Sequence, residues 1–174
     1  NGFALNISKE EADQLKTLPF VKDVYPNRIF QITLMDSVPQ IRADKVWELD
    51  EDGNKCLETG KTCLTGKGVR IGIIDSGVDY THPDLGGCFG DGCKVEGGYD
   101  FVNRDADPMD DVGHGTHVAS IVAGNGILKG VAPDAKIIAY KVCKYDGNCS
   151  EDSIIESIER SVDPNQDGNF SDHL

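Results

Sequence analysis

A histidine between two glycines is the residue of this chain with the clearest chemical potential. His114 lies between Gly113 and Gly115 in the stretch DDVGHGTHVASIVAG, residues 110–124. The glycines place no side chain beside the imidazole, so a substrate backbone can approach it closely. Residues 116–123 are small and apolar on nearly every side, which predicts a helix buried on all sides. A helix N-terminus disfavours imidazolium, so a helix that begins here favours a neutral imidazole that can act as a general base.

A general base needs a group that orients it, and Asp75 has a suitable position. Residues 69–74, VRIGII, form an almost continuous apolar run, which is typical of a parallel strand buried on both faces. Asp75 follows this run, and functional groups gather at the carboxyl ends of strands in open α/β sheets. A buried carboxylate there can accept a hydrogen bond from Nδ1 of His114 and stabilise the imidazolium. Either residue alone is weak evidence, because a strand-terminal Asp-Ser-Gly is usually a turn and a single histidine is usually structural.

The elements that would position this pair predict an α/β fold with a parallel sheet. Strands are predicted at 69–74, 99–103 and 135–142, and helices at 116–123 and from Ser150 to about Val162. Strands therefore alternate with helices on both sides of His114.

The first 35 residues predict a separate small α+β unit. Strands are predicted at 2–8, 21–25 and 28–34, and Ser8-Lys-Glu-Glu11 is a capping box that begins a helix reaching about Leu18. Such a unit is too short to bury a good core alone. Residues 36–40 are interpreted as an exposed linker and 41–174 as a second domain, in which Trp47 is most simply a packing anchor.

Composition limits the class of partner. The net charge of −13 argues against nucleic acid and against an anionic membrane as partners. No apolar run approaches the roughly 18 residues of a membrane span. The six cysteines fall into three close pairs, which favours local disulfides and an extracellular setting over six reduced thiols; the pairs are Cys56 with Cys63, Cys88 with Cys93, and Cys143 with Cys149. A zinc site is disfavoured because no C-x2-C pair occurs.

Oxygen-bearing side chains near the end of the chain predict a metal site. Asp163, Asn165 and Asp167 alternate and are followed by Gly168, as in the first half of a calcium loop. Asn169 extends this set of oxygen ligands. The twelfth position of the loop is leucine rather than glutamate, so the match is incomplete. Structural Ca²⁺ and a solvated Asp/Asn turn are both open interpretations.

Two of these stretches resemble a known family. Residues 69–85, VRIGIIDSGVDYTHPDL, and 110–124 are similar to the Asp and His signatures of the subtilases, the subtilisin-like serine proteases. Residues 130–136, GVAPDAK, resemble the segment that follows the His helix in that family, and residues 1–34 resemble the C-terminal half of a subtilase propeptide.

The resemblance implies roles for particular residues. It makes Asp75 the orienting acid, His114 the general base and His117 the second, non-catalytic histidine of the motif. It implies a partial subtilisin-like parallel sheet with helices on both faces, and polypeptide substrates. It also implies that residues 1–35 act as an intramolecular inhibitor, with a cleavage junction within 33–38.

The family's nucleophile is not among the 174 residues. No Gly-Thr-Ser-Met-Ala-like motif and no oxyanion-hole asparagine segment occur, and several serines lie outside any such motif: Ser76, Ser120, Ser150, Ser153, Ser157, Ser161 and Ser171. We therefore expect the N-terminal portion of a secreted serine endopeptidase, inactive alone, whose serine lies either further along one longer chain or on a complementary C-terminal chain. The alternative is a non-enzymatic calcium-binding or interaction module derived from a protease.

Overall fold

The chain divides into two compact units, Asn1–Ile32 and Thr33–Leu174. The computed structural model describes residues 5, 7–25, 34–172 and 174, and for 34–36 and 172 it describes the backbone only.

The first unit contains helix α1, Lys9–Leu15, which begins at the predicted capping box. Ser8 Oγ accepts a hydrogen bond from the backbone N–H of Glu11 (3.2 Å), and Ser8 N–H donates to Glu11 Oε2 (2.8 Å). The helix ends before Leu18, because the next residues form turns ahead of Pro19. The strand predicted at 21–25 is wrong, since this segment has no strand pairing. The strands predicted at 2–8 and 28–34 lie largely outside the described residues.

The second unit begins with two short helices instead of an exposed linker. Helix α2 spans Leu34–Gln40 and helix α3 spans Ala43–Val46. Val38 is buried within the segment predicted to be exposed, and it packs in a small cluster with Ala43 and Trp47. The Asp, Ser and Pro content of this segment favoured a linker, whereas the helix accommodates Pro39. Trp47 is the packing anchor that was predicted, and its Nε1 donates to the carbonyl of Val131 (2.9 Å).

A three-stranded parallel sheet forms the centre of this unit among the described residues. After the short helix α4, Cys56–Thr59, come strands β1, Arg70–Asp75, and β2, Val95–Asp100; strand β3 is Lys136–Lys141. The spatial order is β1-β3-β2, so β3 lies in the middle. The predictions for β1 and β3 are confirmed, and an α/β fold with a parallel sheet is observed.

The strand predicted at 99–103 is misplaced, because β2 lies at 95–100. Asp100 ends the strand by accepting hydrogen bonds from the backbone N–H groups of Val102 (2.7 Å) and Asn103 (2.8 Å), which turns the chain. Gly97 and Gly98 interrupt the apolar pattern of β2, so the sequence did not predict a strand beginning at Val95. One of them, Gly98, is required by packing, since a Cβ there would lie 2.0 Å from the carbonyl oxygen of Ala139.

The two longer helices of this unit cover opposite faces of the sheet, as predicted. Helix α5, His114–Ala123, contributes Ala119 and Ala123 to a core that contains Ile137 and Ala139 of β3. Helix α6, Glu151–Val162, packs on the other face, where Ile154 lies against the cluster around Tyr140. Alternate residues of β3 thus face different helices.

Helix α5 is not buried on all sides, which corrects the sequence prediction. Gly115, Ala119 and Ala123, spaced four residues apart, are buried against the sheet. Ile121 on another side is 38% exposed. The apolar composition of the helix did not distinguish these two faces.

The three predicted disulfides are present. They join Cys56 to Cys63, Cys88 to Cys93 and Cys143 to Cys149, and no cysteine is left free. Each closes a short loop, so each stiffens its own segment. Among the described helices, none has both the length and the apolar character needed to cross a bilayer.

The close approach of β2 and β3 gives a test of the fold. Gly98→Ala should lower the free energy of unfolding by about 1–3 kcal/mol, because the new methyl group meets backbone atoms. Gly97→Ala is the matched control, since its Cβ would lie 3.7 Å from the end of the Ile138 side chain. Urea denaturation of both variants measures the difference. Equal stabilities would contradict this packing.

Candidate active site

Strand alternation and helix placement bring Asp75 and His114 together. Asp75 is the last residue of β1, and Ile73 and Ile71, two and four residues earlier, belong to the core that α5 covers. Asp75 therefore faces the side of the sheet on which α5 begins. His114 is the first residue of α5, and its Nδ1 lies 2.8 and 2.9 Å from the two carboxylate oxygens of Asp75. The contact spans 39 positions of sequence.

Gly115 allows this approach, but not in the way the sequence suggested. A Cβ at Gly115 would lie 2.0 Å from the carbonyl oxygen of Gly77 and 3.1 Å from Cβ of Asp75. The absence of a side chain there lets the helix pack on the turn after β1, so the prediction that Gly115 opens space for a substrate is wrong. Gly113 adopts a φ of 97°, and a Cβ there would meet nothing within 4 Å.

Ser76 and Asp110 connect the two segments that carry the pair. Ser76 Oγ donates to Asp110 Oδ1 and accepts from the N–H of Gly115, both at 2.9 Å. Asp110 Oδ1 also accepts from the backbone N–H groups of Val112 and Gly113, and its Oδ2 accepts from both N–H and Oγ of Thr116. These bonds satisfy donors at the start of α5, as an N-terminal cap does.

The pKa of Asp110 follows from this environment. Burial favours the neutral carboxyl, but the hydrogen bonds from Thr116, Gly113 and Val112 together outweigh it and leave the pKa below its usual value. The carboxylate is therefore charged near neutral pH and strengthens the cap.

Neither Ser76 nor Asp110 was given a role from sequence, although each left a signal. Ser76 directly follows the strand-terminal Asp75, and Asp110 lies four residues before His114 in the same motif. Lys141 was likewise given no role. It is a cation at the end of an apolar strand, and a cation in that position indicates a buried partner.

The electrostatics of His114 differ from the sequence prediction. The hydrogen bond and the negative charge of Asp75 raise the pKa of His114 above its ordinary value of 6.5. The helix N-terminus was expected to keep the ring neutral, but the carboxylate in direct contact dominates. The histidine side chain is 69% exposed and that of Asp75 is 17% exposed. The pair thus combines an accessible imidazole with a shielded carboxylate that favours the imidazolium.

The four residues of the predicted calcium loop lie together near the end of the chain. Asp163 accepts from the backbone N–H groups of Asp167 (3.1 Å) and Gly168 (3.0 Å), and Asn165 Nδ2 donates to Asp167 Oδ2 (3.1 Å). Asn169 Oδ1 accepts from the N–H of Ser171. Within the described residues, no three His, Cys, Asp or Glu side chains gather to hold a metal ion. Calcium binding therefore stays a prediction, and these hydrogen bonds are compatible with a solvated turn.

The fold and the Asp–His geometry define a class of protein, and comparison with known proteins agrees with it. Residues 66–170 match the subtilase family. The chain belongs to this family of subtilisin-like serine proteases.

Particular relatives extend the likeness over most of the chain. The minor extracellular protease Vpr of Bacillus subtilis (strain 168) is 36% identical over 194 aligned positions, which cover 97% of this chain and 22% of Vpr. Alkaline serine exoprotease A of Vibrio alginolyticus is 32% identical, covering 91% of this chain and 29% of that protein. A crystal structure of a cold-adapted subtilisin-like serine proteinase matches with a TM-score of 0.50 and 28% identity, covering 70% of this chain and 40% of that one. The chain spans less than a third of either curated relative.

The contact between Asp75 and His114 predicts how His114 titrates. Its pKa should lie above 6.5, and Asp75→Asn should lower it, because the partner charge is removed. NMR titration of the imidazole measures both values. Asp91→Asn is the control, since it removes an equal charge from the Cys88–Cys93 loop, and it should leave the pKa unchanged. A value that Asp75→Asn does not lower would contradict the geometry.

Proposed function

We propose that this chain supplies the acid and the base of a serine endopeptidase. The observation that carries the proposal is the contact of His114 Nδ1 with the Asp75 carboxylate at the carboxyl edge of the sheet. In a triad, such a carboxylate fixes the tautomer and orientation of the imidazole and stabilises the imidazolium. Membership of the subtilase family supports the same assignment.

The histidine has one ring nitrogen left for chemistry. Because Nδ1 is held by Asp75, Nε2 is the atom that takes the proton from a serine Oγ as this oxygen attacks the scissile carbonyl. The same nitrogen then gives the proton to the leaving amine, and water hydrolyses the acyl-enzyme. The serine and the oxyanion donors belong to sequence beyond these 174 residues, so this chain alone does not complete the reaction.

The location and partners of the protein follow from the same proposal. Three disulfides favour an oxidising compartment, and a relative named an extracellular protease supports secretion. The substrates are polypeptides. Residues 1–35 serve as the intramolecular inhibitor, and this chain should stay uncut within 33–38 because it lacks the nucleophile.

Calcium binding by residues 163–169 is a second, separate part of the proposal. Asp163, Asn165, Asp167 and Asn169 offer carboxylate and amide oxygens, which suit Ca²⁺. The ion would hold the chain after α6 in place. It takes no part in bond cleavage.

Activity tests the first proposal directly. In the full-length product that includes these residues, His114→Ala should lower kcat for a peptide substrate by about 10⁴-fold or more, because the serine loses its base. His117→Ala is the matched control on the same helix, and its kcat should stay within about twofold. The 174-residue chain alone should show no turnover. Equal effects of the two substitutions, or turnover by the chain alone, would contradict the proposal.

Thermal unfolding with Ca²⁺ or with EDTA tests the second proposal. Calcium should raise the melting temperature, since an ion at 100 times its Kd adds about 2.7 kcal/mol of stability. Asp163→Asn should abolish the increase, whereas Asp146→Asn, in a different turn, should keep it. The same melting temperature with Ca²⁺ and with EDTA would show that the loop is a solvated turn.

A further inference from the structure

A buried lysine lies next to the Asp–His pair. Lys141 is the last residue of β3, and the strand pairing places it opposite Asp75 of β1 and Asp100 of β2. Ile137 and Ala139 face the core that α5 covers, and alternation along the strand directs the Lys141 side chain to the same face. The residue is only 1% exposed. Burying an ammonium group is costly unless it is paired and hydrogen-bonded, so Lys141 needs charged or polar partners inside the protein.

The partners of Lys141 belong to the two segments that hold the pair. Its Nζ donates to the backbone carbonyl of Ser76 (2.8 Å) and to Asp111 Oδ1 (2.5 Å). Ser76 directly follows Asp75, and Asp111 lies three residues before His114. One ammonium group thus connects the end of β1 with the loop that leads into α5.

The two neighbouring carboxylates of this loop hold it in different ways. Asp110 accepts bonds from Ser76, from the loop backbone and from Thr116, so it joins the loop to the start of α5. Asp111 bonds to Lys141 and so joins the loop to the middle strand of the sheet. The Asp111 side chain is 48% exposed, whereas that of Lys141 is 2% exposed. The lysine is therefore the fixed end of the contact, and the loop is the part that it restrains.

A purely stabilising role for the pair is the alternative. Replacing a buried ion pair with well-packed apolar groups is often neutral or stabilising, so such a pair is weak evidence for stability alone. The partners of Lys141 instead indicate a geometric role, because Ser76 lies beside Asp75 and Asp111 lies close to His114 in the chain. Small displacements of catalytic groups cost about 100-fold in rate for 1 Å.

We propose that Lys141 is a positioning residue that keeps Asp75 and His114 within hydrogen-bonding distance by joining Ser76 to Asp111. The proposal rests on the endopeptidase function above, because the pair must be held for catalysis. Lys141 does not touch the reacting atoms, and it acts through the two chain segments that it connects.

Kinetics of the full-length product provide the first test. Lys141→Met keeps the length of the side chain and removes the charge, and it should lower kcat by about 10- to 100-fold with little change in KM. Asp111→Asn should lower kcat in the same direction, and the double variant should be no slower than Lys141→Met alone. Asp91→Asn is the matched control and should keep the wild-type kcat. Unchanged kcat in both variants, additive effects or a change in KM alone would overturn the proposal.

NMR titration of His114 in the same proteins provides a second test that needs no turnover. Direct electrostatics predict that loss of the Lys141 charge raises the pKa of His114, because a nearby positive charge disfavours the imidazolium. Loss of positioning predicts a lower pKa of His114, because its contact with the Asp75 carboxylate is weakened. A lower pKa in Lys141→Met supports the proposal, and a higher one overturns it.

The two tests separate this proposal from the endopeptidase assignment. An inactive wild-type product would contradict the endopeptidase function but leave the NMR result able to judge Lys141. If Lys141→Met does not fold, Asp111→Asn decides through its kcat once its circular dichroism matches the wild type, because this substitution keeps the size of a half-exposed side chain.

Discussion

The contact between the start of α5 and the turn after β1 is the constraint on which the rest of the site depends. A side chain at Gly115 would collide with the Gly77 carbonyl, so a glycine at this position sets how closely helix and strand approach. That approach places His114 against Asp75 and allows Ser76 to bond both Asp110 and the N–H of Gly115. The pair is therefore a consequence of backbone packing, and the hydrogen bonds around it maintain a distance that the glycine permits.

The sheet supplies the second level of order. Parallel pairing aligns the carboxyl ends of β1, β2 and β3, and β3 lies between the other two. Because residues of a strand alternate between faces, Asp75 and Lys141 both face α5, while Tyr140 packs on the side of α6. The cores on the two faces thus fix the directions of the polar residues at the edge. The same sheet places the Lys141 ammonium group beside the segments that carry Asp75 and Asp111, where it compensates part of their negative charge.

Much of this arrangement was predictable from the sequence. The apolar runs of β1 and β3, the glycine-flanked His114 and the spacing of the cysteines each produce a local pattern that their structures follow. Strand β2 was misplaced because Gly97 and Gly98 interrupt its apolar pattern, and the need for Gly98 appears only when β3 lies beside it. The helix at 34–40 was missed because the Asp, Ser and Pro of this segment are typical of a loop, and the burial of Val38 depends on contacts with Ala43 and Trp47. The raised pKa of His114 and the network of Ser76, Asp110 and Lys141 depend on contacts between distant residues, which no local pattern contains.

The proposed endopeptidase function requires that His114 activate a serine that lies beyond these 174 residues. The most direct measurement is to react the full-length product with a serine-directed fluorophosphonate and to locate the modified residue by peptide mass spectrometry. We expect a single labelled serine outside residues 1–174, with labelling that His114→Ala slows by orders of magnitude. Labelling of a serine within residues 1–174, or equal labelling rates with and without His114, would contradict it.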